Sequence, residues 1–336
     1  LYARLNTKPT QPLKLSVKDV RPSMNTTLLI AGGAVLSVLG AGVAWLYTPD
    51  MPRPALEGRY LADPADMVEV AGARLHVRVS GPERAPAVIM IHGFGSSLHT
   101  FEDWSAGLKE TFRVVRFDLP GSGLSPPDPT GRYDDERAME LVDGLMERFE
   151  LAQAALVGNS IGGRIAWRFA AERPDRVSRL VLIAPDGFAS TGFDYGQAPE
   201  VGLATHAMRV ALPRFLVRQN LEASYGDPQR LGDETVVGYY DLLRGSDDRL
   251  AIIHRMEQTV LVDPRPRLEQ IDAPTLLLWG EEDRLIPVSN AQDYLDHLPD
   301  ARRVVLDGVG HLPQEEAPQR SLEPVEAFLS PLREPS

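Results

Sequence analysis

Residues 155–163 read ALVGNSIGG, an apolar run that leads into a glycine-rich turn around Ser160. The apolar half predicts a buried strand, and Ile161–Arg173 has apolar residues at helical spacing. The turn between them fits the pattern G-x-S-x-G, in which small flanking residues let a strand and a helix approach closely. A serine held in such a turn is raised above the sheet edge, so we predict that Ser160 is a nucleophile.

Apolar runs on both sides of this turn predict the rest of a sheet. MVEVAG and RLHVRVS, joined by a turn at Gly72, predict an antiparallel hairpin. The further predicted strands are Ala87–Ile91, Arg113–Leu119, Ala155–Asn159, Arg179–Ala184, Thr275–Trp279 and Arg303–Asp307. Their nearly continuous apolar character is typical of strands buried on both faces. Predicted helices at Asp134–Glu150, at Ile161–Arg173 and after Pro318 make the fold class α/β, with a mostly parallel central sheet flanked by helices.

Residues 187–267 interrupt this alternation, because the crossover between two neighbouring parallel strands is normally short. Helical periodicity in Pro213–Ala223, Thr235–Leu243 and Arg249–Leu261 predicts a helical cap in this interval. We therefore assign residues 67–186 and 268–336 to the α/β core, and residues 187–267 to a cap insertion.

A serine hydroxyl is a weak nucleophile near neutral pH and needs a base within hydrogen-bond reach, together with a group that orients the base. His311 lies in GVGHLP directly after the last predicted strand, and Asp283 lies in GEEDRLIP directly after the strand before it. Loops that follow parallel strands gather at the carboxyl edge of the sheet. We predict that His311 is the base and Asp283 the orienting acid, with Glu281, Glu282 and Asp186 as alternative acids.

Acyl transfer also needs hydrogen-bond donors directed at the oxyanion. His92-Gly93-Phe94-Gly95 follows the third predicted strand, and the backbone N–H of Phe94 is the expected first donor. The expected second donor is the backbone N–H of Ile161, the residue after the nucleophile. We expect His92 itself to be a structural hydrogen-bonding residue.

Five segments, in their order along the chain, resemble the α/β-hydrolase family. They are His92–Gly95, Asp118–Gly123, Gly158–Gly163, the segment around Asp283, and Gly310-His311. The resemblance extends from about Met67 to the C-terminus and includes the order serine, acid, histidine. It implies a serine hydrolase of the esterase or lipase type that needs neither a cofactor nor a metal.

The elbow Asn-Ser-x-Gly-Gly is also similar to that of hydrolases that cleave carbon–carbon bonds in aromatic ring-fission products. Those enzymes commonly have an aromatic residue directly after the catalytic histidine, whereas this chain has Leu312. We therefore expect a carboxylic ester as substrate. Carbon–carbon bond hydrolysis by the same triad remains an alternative, as does a non-catalytic binding module that kept the fold.

The composition of the chain excludes several classes of binding partner and of functional site. A formal net charge of -12 argues against a nucleic-acid partner, because phosphate binding needs clustered lysine and arginine. The sequence contains no cysteine, which excludes disulfides, thiolate metal sites and cysteine nucleophiles. The expected partner is a small-molecule substrate, an apolar ester.

The N-terminal region contains an uncharged segment, Thr26–Tyr47, with the sequence TTLLIAGGAVLSVLGAGVAWLY. At 1.5 Å per residue its helix would be about 33 Å long, enough for a bilayer core of about 30 Å. We expect an uncleaved transmembrane anchor, with a cleaved signal peptide and a buried core helix as alternatives. The prolines after it predict a stiff linker over residues 48–66.

We interpret residues 1–25 as an N-terminal extension that need not be native. Three of the four lysines of the chain precede Met24, so the use of lysine changes abruptly at this point. If the extension is native, its five cationic residues favour the cytoplasm. The expected location is therefore a membrane, with the catalytic domain on the periplasmic or extracellular side.

Overall fold

The computed structural model describes residues 45–189, 194–246 and 248–333, together with Ser37, Gly40 and Gly42. The chain divides into two units, residues 1–46 and 47–336. The predicted extension 1–25 and most of the predicted anchor Thr26–Tyr47 lie outside the described residues. Within the described ranges, no helix combines the length and the apolar character needed to cross a membrane.

The second unit is built around an eight-stranded sheet. The strands are β1 Met67–Val70, β2 Ala73–Ser80, β3 Ala87–Ile91, β4 Arg113–Phe117, β5 Ala154–Asn159, β6 Val177–Ile183, β7 Thr275–Gly280 and β8 Ala301–Leu306. Their order across the sheet is β1-β2-β4-β3-β5-β6-β7-β8. β2 is antiparallel to both of its neighbours, and the remaining neighbouring pairs are parallel. The α/β class with a mostly parallel sheet is confirmed.

Helices cover both faces of the sheet. They are α1 Arg53–Tyr60, α2 Glu102–Leu108, α3 Asp135–Arg148, α4 Ile161–Glu172, α5 Leu203–Ala207, α6 Arg214–Ser224, α7 Asp233–Leu242, α8 Asp248–Gln258, α9 Arg265–Leu268, α10 Asn290–Leu295, α11 Pro313–Glu316 and α12 Pro318–Leu329. Short 3-10 helices occupy Pro64–Asp66, Leu98–Phe101, Pro174–Arg176, Pro228–Arg230 and Ser330–Arg333. Successive side chains of a strand point to opposite faces, so Ile89 of β3 joins the core beneath α3 and α4, and Val88 joins the core beneath α2 and α12.

One strand departs from the expected burial on both faces. β8 is the last strand of the sheet, and its residues Arg302 and Arg303 are exposed. An edge strand meets a neighbour on one side only, and charged side chains there discourage pairing with another chain. Position in the sheet, which the local sequence does not encode, therefore decides the burial of this strand.

Between β6 and β7 the chain forms α5 to α9. Helices α6, α7 and α8 overlap the three predicted cap helices, whereas α5 and α9 span only five and four residues and show too little periodicity to be predicted. The insertion has an apolar cluster of its own, which contains Leu212, Val217, Leu221, Leu231 and Val236. It belongs to the same compact unit as the core, so the boundaries 187–267 of a separate cap remain a prediction.

The predicted linker over residues 48–66 is wrong, because this segment packs against the domain. The N–H of Thr48 donates to the carbonyl of Val210 at 2.8 Å, and α1 buries Leu56 completely. The prolines that predicted a linker begin α1 instead, at positions where a missing N–H breaks no helical hydrogen bond. Residues 48–66 are thus an integral part of the second unit.

Candidate active site

Ser160 occupies the turn between β5 and α4. Its φ of 55° and ψ of -120° lie in a region that residues other than glycine rarely adopt. The turn is held on both sides, since the N–H of Ser160 donates to the carbonyl of Ile183 and the N–H of Asp186 donates to the carbonyl of Ser160, each at 3.0 Å. The structure therefore contains the strained strand-to-helix turn that the sequence predicts around Ser160.

Two glycines allow the strand and the helix to approach at this turn. A Cβ added to Gly158 would lie 2.2 Å from the carbonyl oxygen of Gly162, and a Cβ added to Gly162 would lie 2.2 Å from that of Ile91. Real Cβ atoms do not come so close to backbone atoms. Any larger residue at either position would displace α4 from the sheet and move Ser160 with it.

His311 and Asp283 come together from the loops after β8 and β7. His311 Nδ1 and Asp283 Oδ2 lie 2.7 Å apart, with both side chains almost fully buried. The other carboxyl oxygen, Oδ1, accepts the N–H groups of Leu285 and Ile286, each at 2.9 Å. Because these bonds fix the carboxylate as an acceptor, His311 carries its proton on Nδ1 and keeps Nε2 available as a base.

The alternative acids do not occupy this position. Asp186 contacts Arg164 at the start of α4. Glu281 and Glu282 are exposed on the loop after β7. Asp283 is therefore the acid that the structure pairs with His311.

Asn159 connects the serine turn to the histidine loop. Its Nδ2 donates to the carbonyl of His311 and to the carbonyl of Ile183, each at 3.2 Å. The residue is almost completely buried. In the sequence this asparagine is recognisable only as part of a family pattern, because its acceptor on His311 lies 152 residues away along the chain. It fixes the backbone of His311 relative to the backbone of Ile183, beside the turn of Ser160.

The two predicted oxyanion donors flank Ser160. A Cβ added to Gly93 would lie 3.4 Å from the Cβ of Ser160, so the loop that carries Phe94 passes directly beside the serine. Ile161 is the first residue of α4, and the first N–H groups of a helix have no acceptor within it. The loop that carries Phe94 and the first residue of α4 thus both lie beside Ser160, and the oxyanion role of their N–H groups stays a prediction.

His92 holds this loop in place, in agreement with the structural role expected for it. Its Nδ1 lies 2.7 Å from the carbonyl oxygen of Gly93, and the N–H of Leu119 donates to its Nε2 at 3.0 Å. Since Nε2 accepts, Nδ1 must donate, and the ring is neutral. Burial lowers the pKa of His92 and favours that neutral form.

Glu316, for which the sequence gives no signal, anchors the loop that carries His311. Its carboxylate accepts the backbone N–H of Gly310 at 2.7 Å, of Gly226 at 2.9 Å and of Asp227 at 2.8 Å. The N–H of His311 in turn donates to the carbonyl of Ser224 at 2.7 Å. The loop that carries His311 is therefore attached to the end of α6 in the insertion.

A second group of polar side chains joins the insertion to the loop that carries Phe94. Tyr239 of α7 has its hydroxyl 2.5 Å from Glu315 Oε1 and 3.0 Å from the Ser96 hydroxyl. Glu315 also contacts the hydroxyls of Thr100 and Tyr225. Burial raises the pKa of Glu315, and the hydrogen bonds from these hydroxyls oppose that effect. The cluster lines one side of a cavity of about 560 Å³ between the insertion and the core.

Two of the relatives found by comparison with known proteins differ in activity. The chain is 30% identical over 250 residues to the pimeloyl-[acyl-carrier protein] methyl ester esterase of Neisseria meningitidis, covering 71% of this chain and 92% of that protein. It is 29% identical over 254 residues to the 2-hydroxy-6-oxononadienedioate/2-hydroxy-6-oxononatrienedioate hydrolase of Comamonas testosteroni, covering 72% and 86%.

Among solved structures, a membrane phospholipase A described as a bacterial virulence factor superposes with a TM-score of 0.69 at 25% identity, covering 92% of this chain and all of that one. The model of the alpha/beta hydrolase family matches residues 88–323. This match spans the sheet from β3 onward, the serine turn and the His311–Asp283 pair. The chain therefore belongs to the alpha/beta hydrolase family.

Proposed function

We propose that this protein is a serine hydrolase that cleaves a carboxylic ester through an acyl-enzyme. His311 Nε2 takes the proton of Ser160 as its Oγ attacks the ester carbonyl, and Asp283 stabilises the imidazolium that forms. The N–H groups of Phe94 and Ile161 donate to the oxyanion. The imidazolium then protonates the leaving alkoxide. A water deprotonated by His311 attacks the acyl group and releases the acid from Ser160.

The observation that carries the proposal is the buried His311–Asp283 pair, joined through Asn159 to a strained turn that presents Ser160. An ester is favoured over a carbon–carbon bond by Leu312, at the position where ring-fission hydrolases commonly have an aromatic residue. Leu312 is buried in the apolar cluster of the insertion. The esterase relative also supports an ester, whereas the dienedioate hydrolase relative supports the alternative.

A panel of p-nitrophenyl esters of increasing chain length, assayed beside a ring-fission dienone, tests the proposal. We expect kcat/KM to be highest for an ester, and a fluorophosphonate to label the peptide that contains Ser160. Much faster turnover of the dienone would favour carbon–carbon bond hydrolysis. A folded protein that neither turns over nor labels would be a binding module.

Replacing Tyr239 with phenylalanine is expected to lower kcat by about 10-fold to 100-fold with little change in KM. The hydroxyl that this variant lacks contacts Ser96, two residues after Phe94. Its loss should loosen the loop that carries Phe94 and so weaken stabilisation of the transition state, while binding of the ester in the ground state is unchanged. Removing this donor also lets burial raise the pKa of Glu315 further. Steady-state kinetics on p-nitrophenyl butyrate measure the effect.

Tyr240→Phe is the matched control for Tyr239→Phe, because Tyr240 is the next residue of α7 and its ring packs against the guanidinium of Arg244. It is expected to keep the wild-type kcat. Equal activity of both variants would show that the Tyr239 hydroxyl does not position the loop that carries Phe94.

We also propose that Thr26–Tyr47 anchors the protein in a membrane, with the catalytic domain on the exported side. The support is the uncharged length of the segment and the five cationic residues that precede it. Protease added to intact cells should then digest the domain. Digestion only after lysis would show that the domain lies on the cytoplasmic side. Recovery of the intact chain outside the membrane fraction would show that the segment does not anchor the protein.

A further inference from the structure

Exposed apolar side chains are grouped on the first part of the insertion. Leu203 is 89% exposed, Val210 54%, Phe215 51% and Leu216 42%. All four lie between the start of α5 and the first turn of α6. Single exposed apolar residues are ordinary, but several on one short segment indicate a surface that binds something.

The charge of this segment differs from that of the chain. Residues 201–221 contain Arg209, Arg214 and Arg218 and neither aspartate nor glutamate, although the formal net charge of the chain is -12. Arg209 and Arg214 are exposed, whereas Arg218 pairs with Glu222 and Asp233. Exposed apolar and cationic side chains on one segment are typical of a surface that lies in the interface of an anionic bilayer.

The chain enters the domain beside this segment. Besides the bond from Thr48 to Val210, the N–H of Leu212 donates to the Thr48 hydroxyl at 2.9 Å, and Arg249 Nη1 donates to the Thr48 carbonyl at 2.9 Å. Thr48 is thereby fixed and almost fully buried. The uncharged segment Thr26–Tyr47 ends at the residue before it. A bilayer that holds this segment is therefore linked to the domain through Thr48, the residue that bonds to Val210.

We propose that the face formed by Leu203, Arg209, Val210, Arg214 and Leu216, here called the insertion face, lies in the interface of an anionic bilayer. The apolar side chains enter the boundary between headgroups and acyl chains, and the two arginines bind anionic headgroups. The proposal rests on the membrane anchor proposed above. It also deepens the proposed activity, because it makes esters carried in the bilayer the substrate class.

Because the chain contains no cysteine, a single cysteine can carry an environment-sensitive bimane probe. The full chain is reconstituted in vesicles of phosphatidylethanolamine and phosphatidylglycerol. Val210→Cys is compared with Val79→Cys, the same substitution at an exposed valine of β2. We expect blue-shifted emission and quenching by brominated acyl chains for the probe at position 210, and neither for the probe at position 79.

Two outcomes would overturn the proposal in different ways. If the chain floats with the vesicles while the probe at position 210 remains in water, the anchor stands and the proposed contact of the insertion face with the bilayer is contradicted. A chain that does not float with the vesicles overturns both the anchor and the face. Neither readout depends on catalysis, so the proposed ester hydrolysis is unaffected by either result.

Charge reversal tests the arginines. Arg209→Glu combined with Arg214→Glu should abolish the quenching and lower the turnover of a vesicle-borne ester, while turnover of soluble p-nitrophenyl butyrate is unchanged. The control reverses two other exposed arginines, Arg74 and Arg84, and should change neither. Equal loss in both double variants would contradict a specific face. If the wild type cleaves neither ester, the ester proposal fails while the quenching still reports on the face.

Discussion

Replacing Ser160 with alanine is expected to lower kcat for ester hydrolysis by about 10⁴-fold to 10⁶-fold. The hydroxyl of Ser160 is the proposed nucleophile that the turn presents, and the sequence contains no cysteine whose thiolate could act instead. The activity that remains would come from the oxyanion donors acting on a bound ester attacked by water. Steady-state and single-turnover assays on p-nitrophenyl butyrate measure the loss, and the melting temperature shows whether the fold is intact.

Ser289→Ala, which removes an exposed hydroxyl elsewhere on the domain, serves as the control and should keep wild-type kcat. Because the triad acts as a unit, Ser160→Ala combined with His311→Ala should be no slower than Ser160→Ala alone. Additive losses, or a Ser160→Ala variant with most of its kcat, would show that Ser160 is not the nucleophile.

Replacing Asp118 with asparagine is expected to destabilise the fold by about 3–5 kcal/mol. Its buried carboxylate lies 2.7 Å from His76 Nδ1 and accepts the N–H of Leu98 at 2.6 Å and of Leu124 at 2.8 Å. Asparagine would turn an amide donor toward groups that themselves donate, which leaves buried polar atoms without partners. The urea midpoint at neutral pH measures the effect.

The same carboxylate makes the stability of the wild-type fold depend on pH in the acid range. Burial raises the pKa of Asp118, but the hydrogen bond and charge of His76 outweigh this effect and lower it to about 2, from 3.8. A folded-state pKa below the unfolded value stabilises the fold above the unfolded pKa. This contribution, about 2 kcal/mol, is lost as pH falls through about 4 to 2.

We therefore expect the urea midpoint of the wild type to fall more steeply across this acid range than that of Asp118→Asn. Asp103→Asn, at an exposed carboxylate of α2, is the control and should follow the wild type. Parallel acid profiles of the wild type and Asp118→Asn would contradict the assigned role of Asp118.

Features encoded by neighbouring residues could be predicted from the sequence. The glycine-flanked serine turn and the strands around it depend on local spacing and on small residues. The loops of Asp283 and His311 follow two strands that are neighbours in the sheet, so topology alone brings them together. The catalytic roles of these residues remain predictions until the kinetic experiments are done.

Features that depend on distant partners could not be predicted. Glu316 accepts the N–H of Gly226, which lies 90 residues away along the chain, and the Tyr239 hydroxyl contacts that of Ser96, 143 residues away. The prolines before α1 are equally compatible with a linker and with a helix start. Tertiary contacts distinguish the two, among them the complete burial of Leu56 and the bond from Thr48 to Val210.

The attachment of the histidine loop by Glu316 has a consequence for protein engineering. A chimera that exchanges residues 187–267 for the insertion of another hydrolase would remove Ser224, the acceptor of the His311 N–H, and the N–H groups of Gly226 and Asp227. The transplanted segment must supply equivalent backbone groups, or the loop that carries His311 loses its support. Modular exchange at this position is therefore limited by three main-chain contacts, whatever side chains the new insertion contributes.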